Sequence, residues 1–508
     1  MMRLLYAIAP ILILIFLFPL AFYASSPTHV AHQPDVVQSG PQTYVTFMQK
    51  PLDHSPSPWV LYPTDNAVWV AGISSVAPAT SQIREYFIVN GTSKPVVNLA
   101  NVTVSSLVAD SRGRVWFTDN STLAYYDSQR LTVNKTITFP NQSLQYLALD
   151  HQERIWMTML GSGGASSSVV MLDPTDGLNR TYPVRTSNAF IQGITIAPDN
   201  TIWFAEAGSR KLGRLACDSC NITEFSPPSS LNLAALTQVA VDNSGNVWFT
   251  DHEGDNQFGV FNLQTNVWKT FPIGYCPDAC VSGLPNAIFV DTRNEIWFSE
   301  HIAGRIGHYD PSSDVLTEYV VSPTPTTFPL VWWARPGPNN LVWFVANGLG
   351  EVGYVNASLP VPLTLAGPAG DVVIQKGSSK SIPASVSFQG PGTVSLGVFP
   401  LTQDQLSSNS PAQLYGSGPS DIGPSDSPQT ATITVSASWS ATPGARYVAI
   451  TATENNVAVS VHVRVVVVEA SAPVVALGFS SAIVLGGFAV YLRRPKKSKL
   501  QPAKRTRK

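Results

Sequence analysis

The sequence predicts an all-β protein: a seven-bladed β-propeller, then an immunoglobulin-like β-sandwich and a single C-terminal transmembrane helix. Three observations carry this reading. A tryptophan-centred strand recurs at Trp69, Trp116, Trp156, Trp203, Trp248, Trp297 and Trp343, spaced 47, 40, 47, 45, 49 and 46 residues apart. A fixed period of roughly 40–50 residues, built from short apolar strands, is what propeller blades look like in sequence. After residue 358 this repeat stops, and alternating runs of Val, Ser, Thr and Ala replace it. Near the end, residues 473–492 are uncharged and mostly apolar, and nine Lys or Arg follow within sixteen residues.

In chain order, residues 1–26 read as a signal peptide or N-terminal anchor. One positive charge, Arg3, precedes an apolar run over 4–23, and small residues near Ala24–Ser26 permit cleavage. Residues 27–50 are a polar lead-in or the closing outer strand of the ring. Residues 51–358 hold the seven repeats, each an apolar strand, a turn such as Asp242-Asn243-Ser244-Gly245, the tryptophan strand, and two further strands. Four strands and four turns in about 45 residues leave no room for a helix. Residues 361–470 form the sandwich, with strand-like runs at Ala431–Val435, Val448–Ala452 and Val457–Val468. Within it, the Ser-, Pro- and Gly-rich stretch 406–428 reads as a long loop. Residues 473–492 are long enough to span a bilayer as a helix. The basic residues 493–508 then form a cytoplasmic tail, which places the rest of the chain outside the cell.

Composition agrees with an extracellular surface. Charged residues are 13% of the chain, against about 25% in ordinary soluble domains. Eight Asn-X-Ser/Thr sites, at Asn90, Asn101, Asn120, Asn134, Asn141, Asn179, Asn221 and Asn356, offer glycosylation instead. Without the tail's nine basic residues, 22 basic side chains stand against 33 acidic ones, a net charge of −11. An acidic exterior excludes nucleic acid as a partner. The expected partners are the membrane and an extracellular small molecule, glycan or peptide, bound by a monomer. The four cysteines form two close pairs, Cys217/Cys220 and Cys276/Cys280. Outside the cell these read as two local disulfides. A zinc site is the alternative, but the two pairs sit in loop types that leave a propeller on opposite faces.

Chemistry concentrates where the tryptophan strand ends. Four copies close on an acid, Asp119, Glu206, Asp251 and Glu300, and two of these acids precede His252 and His301. Carboxylates ringing a central channel suit a hard divalent cation, Mg²⁺ or Ca²⁺. The histidines can add a base or a nitrogen ligand. The plainer alternative pairs each acid with a backbone amide or a repeat arginine, such as Arg210 or Arg305, to lock adjacent blades. The tryptophans read as apolar wedges between blades.

The stretches Ile-Trp-Phe-Ala-Glu-Ala-Gly-Ser-Arg-Lys-Leu-Gly-Arg-Leu (202–215) and Ile-Trp-Phe-Ser-Glu-His-Ile-Ala-Gly-Arg-Ile-Gly-His-Tyr (296–309) resemble the streptogramin lyase, or virginiamycin B lyase, family. The resemblance covers roughly residues 60–358. It implies a seven-bladed propeller with a metal-assisted site on one face, opening a cyclic lactone by elimination with Mg²⁺, histidine and glutamate. The family's histidines stand in a His-Gly pair eleven residues before the tryptophan. Here those positions are Ser105, Gln145, Gln192, Thr237, Asn286 and Trp332. Gln192 and Asn286 become candidate ligand-binding residues, since an amide cannot take a proton near neutral pH. Two function classes follow. One is a divergent metal-assisted lyase acting on a lactone or glycan, with His252, His301 and Glu300 catalytic and Asp119, Glu206, Asp251 and Glu300 holding the metal. The other is a non-catalytic recognition or adhesion propeller that binds carbohydrate or peptide.

Overall fold

Runs such as Ile-Trp-Phe-Ser-Glu place β-branched and aromatic residues between turn-forming ones, and they form strands throughout. The computed structural model describes residues 44–50, 57–73, 80–100, 102–161, 166–216, 220–231, 233–253, 257–273, 283–321, 328–390, 392–400, 413–454 and 456–470. Within these, the only helical elements are two single 3₁₀ turns, Pro338–Asn340 and Asn347–Leu349.

Seven antiparallel four-stranded units follow one another. Their inner strands are Ser57–Pro63, Leu107–Ala109, Ser143–Leu149, Ile191–Ile196, Leu236–Val241, Pro285–Val290 and Val331–Pro336, here blades I to VII. Blade VII takes its outer strand from the start of the chain: Val45–Phe47 pairs with Glu351–Asn356, Val45 opposite Val355 and Phe47 opposite Gly353. Sequence-distant ends thus share one sheet, which closes the ring.

Three repeated devices explain the motif residues. First, the Trp116, Trp156, Trp248 and Trp297 indoles donate to Asp110, Asp150, Asp242 and Asp291 at 2.9, 2.8, 3.0 and 3.1 Å. Each aspartate stands six residues earlier, and its other oxygen accepts backbone N–H groups of the turn it begins, as Asp150 does from Gln152 and Arg154. Second, the motif phenylalanine covers a glycine on the third strand. A Cβ on Gly213, Gly259, Gly307 or Gly353 would lie 2.0 to 2.7 Å from the ring of Phe204, Phe249, Phe298 or Phe344. Third, the hydroxyl after Trp-Phe joins neighbouring blades. Thr250 Oγ1 accepts from the Gln238 backbone amide at 3.2 Å, where the inner strand bulges. It donates to the Asn286 carbonyl of the next blade at 2.8 Å. Thr158 donates likewise to the Gln192 carbonyl at 2.7 Å.

Beyond the ring, one sheet runs Leu363–Ala366, Ser379–Phe388, Ser425–Ala437, Leu414–Ser417. A second contains Ser395–Pro400, Gly444–Glu454 and Val457–Val468, with Val372–Gln375 parallel to the last of these. Inward residues of the two sheets, among them Phe388, Ile433, Ile450 and Val465, share one buried cluster. The stretch 406–428, expected to be one long loop, contains the strand Leu414–Ser417 and the start of Ser425–Ala437. Fully buried Leu414 anchors that strand, a single apolar contact that Ser- and Pro-rich composition masks. The second sheet continues into blade VI: Val457–Val468 pairs antiparallel with Val315–Val320, Val461 opposite Val315 and Val457 opposite Tyr319. That pairing covers an outer edge that would otherwise expose unpaired backbone groups.

The expected Cys217–Cys220 disulfide involves Cys217, which lies outside the described residues. Cys220 is half-buried at the turn between Lys211–Ala216 and Asn221–Phe225, with a φ of 49°. Its backbone N–H donates to the Ala216 carbonyl at 3.0 Å, a main-chain hydrogen bond that closes this hairpin. Cys217, Cys276, Cys280 and Asn101 lie outside the described residues, as do the leader at 1–26, the apolar span 473–492 and the basic tail. Among the described residues no helix is long and apolar enough to cross a membrane. Of the sequon asparagines, Asn90, Asn120, Asn141, Asn179 and Asn221 are exposed, and Asn134 and Asn356 are half-buried.

The aspartate–indole bond gives a stability prediction. Asp150→Ala leaves a buried indole N–H and two turn amides without acceptors, and it is expected to destabilise the ring by about 2–3 kcal/mol. In blade IV the equivalent position is Ala197 and the neighbouring Asp199 accepts only from Thr201, so Asp199→Ala is expected to cost under about 1 kcal/mol. Thermal unfolding of the two variants side by side checks the difference; equal losses would remove the clamp from the account.

Candidate functional site

The loop from the second to the third strand and the start of the inner strand lie at the same end of each blade, because an antiparallel meander returns there every second turn. That end gathers the acid-histidine pairs of blades V and VI. The backbone N–H of His252 donates to the Ala235 carbonyl at 3.0 Å, and that of His301 to the Leu284 carbonyl at 3.1 Å. Both loops are thereby pinned to the approach to their own inner strand. The two imidazoles stack with centroids 5.7 Å apart and planes 18° from parallel. Trp332 meets both edge-to-face, 4.7 Å from His301 and 5.8 Å from His252. Its other neighbour is Trp59 of blade I, stacked at 4.6 Å. Trp332 itself stands where the resemblance leads one to expect a histidine.

Burial dominates the electrostatics. Desolvation holds His301 down at about 3, helped by the neighbouring His252. Desolvation also lowers His252, partly offset by carbonyls of Pro285 and Leu284. Both rings are neutral at physiological pH. His252 Nδ1 lies 3.1 Å from the Pro285 carbonyl, so Nδ1 carries the proton. His301 Nδ1 is buried with no hydrogen bond.

The four acids are committed to protein donors. Asp251 Oδ1 accepts from the Ala234 and Ala235 amides at 3.0 and 2.8 Å, and Oδ2 from Gln257 at 3.1 Å. Glu300 Oε2 takes Nε and a terminal nitrogen of Arg305, both at 2.8 Å, leaving Oε1 buried without a hydrogen bond. Arg305 also faces buried Glu318 at 3.4 Å. Glu206 accepts from the Ser209 hydroxyl at 2.5 Å. Burial pushes its carboxyl up to about 7, with Ser209 and Lys211 opposing and Glu224 adding to the rise. Asp119 lies 3.4 Å from Lys135. Of the two arginines expected as partners, Arg305 pairs with an acid, whereas Arg210 donates to the Leu233 carbonyl at 3.3 Å.

The amide candidates also act within the framework. Asn286 Nδ2 donates to the Trp332 carbonyl at 2.7 Å, tying blade VI to blade VII. Gln192 has a half-buried side chain, and its carbonyl accepts the Thr158 stitch. The following Gly193 has a packing reason: a Cβ there would lie 2.4 Å from Gln238 Oε1 of the next blade.

Mg²⁺ needs several oxygen ligands in near-octahedral array. At this face the acids beside the histidines already bind amides or a guanidinium, and a second cation at Glu300 would be repelled by Arg305. The donor set does not fit that ion. Among the described residues, the one trio of His, Cys, Asp or Glu with ligand atoms within 4.8 Å of one another is Asp291, Glu295 and His308. It sits at the opposite end of blade VI, where Arg293 pairs with Asp291 at 3.1 Å and Glu295 at 2.8 Å. Residue types alone did not single out Trp59, Glu318 or the clamp aspartates. An aspartate six residues before four of the tryptophans was the available signal for the last.

Seven four-stranded sheets in a ring, with histidines, acids and tryptophans at one end of the channel, define a β-propeller with a one-faced candidate site. The Virginiamycin B lyase family model matches residues 95–364, more than half of the chain, and the protein belongs to that family. Among solved structures, a streptogramin B lyase is 20% identical, with 61% of this chain and 96% of that chain covered and a TM-score of 0.50. A selenomethionine-substituted virginiamycin B lyase from Staphylococcus aureus is 19% identical over 61% of this chain and 97% of its own, TM-score 0.49. A catalytically inactive virginiamycin B lyase from the same organism with quinupristin is 20% identical over 61% and 98%, TM-score 0.49. At that identity the likeness to the streptogramin B lyase shows the fold alone. No curated protein matches the sequence.

The shifted groups predict a pH dependence of two opposing signs. Glu206 holds its proton more tightly when folded, so its contribution is full below about 4.5 and is lost as pH rises towards 7. His301 resists protonation when folded, so stability is lost as pH falls from 6.5 towards 3. Melting temperatures from pH 3 to 8 are expected to lose the first slope in Glu206→Gln and to show a shallower acid limb in His301→Gln. Profiles that keep the wild-type slopes would refute the assignments.

Proposed function

We propose that this protein is a membrane-anchored extracellular recognition propeller, and that the end carrying His252, His301, Trp332 and Trp59 binds a neutral glycan. The observation that carries the reading is the state of the two acids beside the histidines. Asp251 is taken up by two amides and Gln257, and Glu300 by Arg305. A general base works best with a pKa near the operating pH, and His301 at about 3 lies far below it. Neutral imidazoles and a half-buried Trp59 ring instead offer hydrogen bonds and a flat apolar surface, the mixture common in ligand sites.

The surroundings belong to the same proposal. The apolar span 473–492 and basic tail supply the anchor, residues 1–26 the export signal, and exposed sequon asparagines the sites for glycosylation. The immunoglobulin-like sandwich is the stalk between ring and membrane. The close pairs Cys217/Cys220 and Cys276/Cys280 are disulfides of that compartment.

A lyase that opens a cyclic lactone is the competing reading. It draws on family membership and on three buried atoms without hydrogen bonds, Glu206 Oε1, Glu300 Oε1 and His301 Nδ1.

Glycan-array binding by the detergent-solubilised full chain, compared with Trp59→Ala, tests the proposal. Binding to one glycan class that falls about tenfold or more in the variant is expected for loss of an aromatic contact. Absence of any glycan signal, or equal binding by the variant, counts against it. Opening of quinupristin in the presence of Mg²⁺, abolished by His301→Ala, would replace it with the lyase.

A further inference from the structure

The other half of the central channel contains a cavity of about 280 Å³ that neither reading uses. Its lining comes from the second half of six inner strands, those of blades I and III to VII, and extends towards the turns after them, away from His252 and His301. Most of the wall is aliphatic: Leu, Ile, Val and Ala from blades III to VII. The polar and aromatic exceptions that matter are Tyr62, Tyr146, Thr195, Gln238, Trp333 and Arg335. Tyr146 and Trp333 lie nearly parallel, centroids 5.5 Å apart and planes 13° from each other. They form a flat aromatic wall across blades III and VII.

One cation and no anion face this space. The Arg335 guanidinium lies over the Tyr62 ring, 4.2 Å from its centroid, and makes no ion pair among the described residues. No Asp or Glu lines the cavity. Gln238, 6% exposed, lines it too, and its Nε2 is buried with no hydrogen bond. A buried amide donor without an acceptor costs stability unless a ligand supplies one. Burial raises the Tyr146 hydroxyl, opposed by the Gln238 side chain beside it, so it stays protonated and able to donate. These donors converge on a negative charge, and the walls demand an apolar, flat body.

We propose that this half of the channel is a binding site for a small aromatic carboxylate. The carboxylate pairs with Arg335, which presents a planar fork suited to two parallel hydrogen bonds. The ring packs on the Tyr146–Trp333 wall. Size agrees: an apolar cavity of about 150 Å³ accommodates benzene, so 280 Å³ accommodates one ring with a short acid arm. Inorganic anions are disfavoured, since the aliphatic wall cannot replace their hydration. The site is independent of the glycan-binding reading, because it lies at the other end of the channel and shares none of its residues.

Titration of the full chain with benzoate, followed by tryptophan fluorescence and calorimetry, tests the assignment. Benzamide serves as the neutral isostere and acetate as the acid without a ring. Saturable benzoate binding is expected, with benzamide and acetate each weaker by about tenfold or more, as loss of a charged hydrogen bond or of the ring contact implies. Arg335→Gln is expected to reduce benzoate affinity by a similar factor while leaving benzamide unchanged. Benzamide binding as well as benzoate, benzoate binding unaltered in Arg335→Gln, or no saturation by wild type would each overturn the proposal. Should Arg335→Gln fail to fold, the wild-type benzoate-to-benzamide ratio still decides.

Discussion

A buried hydrogen bond between an indole and an aspartate six residues earlier underlies the ring. The same carboxylate accepts the backbone amides of the turn between the first two strands, so one side chain fixes both the turn and the wedge. With the turn fixed, the motif phenylalanine falls over the third-strand glycine and the motif hydroxyl reaches the next inner strand. Four blades use this clamp; in blades I, IV and VII the position holds Pro63, Ala197 and Gly337. Blade IV stacks Trp203 on Phe225 at 5.5 Å and places Arg214 over its ring. Blade VII leaves the Trp343 indole nitrogen without a hydrogen bond and gains its order from the N-terminal strand that closes it.

The two ends of the channel have diverged in their chemistry. At one end, carboxylates placed to meet a ligand are used to hold loops, and two histidines are packed into a neutral aromatic stack. Family membership therefore fixes the architecture of that end more firmly than its reaction. At the other end, the inner strands converge around a cavity whose one charge is Arg335. Fold and function separate here in the usual way, with a shared scaffold and side chains that set what it binds.

The C-terminal sheet is not an independent appendage. Strand pairing with blade VI fuses it to the ring's outer edge, and the shared cluster runs from Tyr319 and Val331 to Ile450 and Val465. Attachment through backbone hydrogen bonds holds the propeller in a defined orientation, which a flexible linker would not.

Much of this was legible in the sequence. The period of the tryptophans set the blade count, and alternation located the strands, because both depend on residues close together in the chain. The residues of the candidate site were also legible: Asp251, His252, Glu300 and His301 stand together at one end. Their partners were not. Asp251 meets Ala234 and Ala235, Glu300 meets Arg305, and His252 meets a ring 49 positions away. Repeats that read alike carry no record of which donor reaches which acid, since that depends on loop lengths and blade-to-blade packing. The cavity is the extreme case, for its walls come from six different blades. Sequence by itself determined the repeating unit through local periodicity; tertiary closure alone decided the state of each titratable group, because burial and neighbours are set only when the ring shuts.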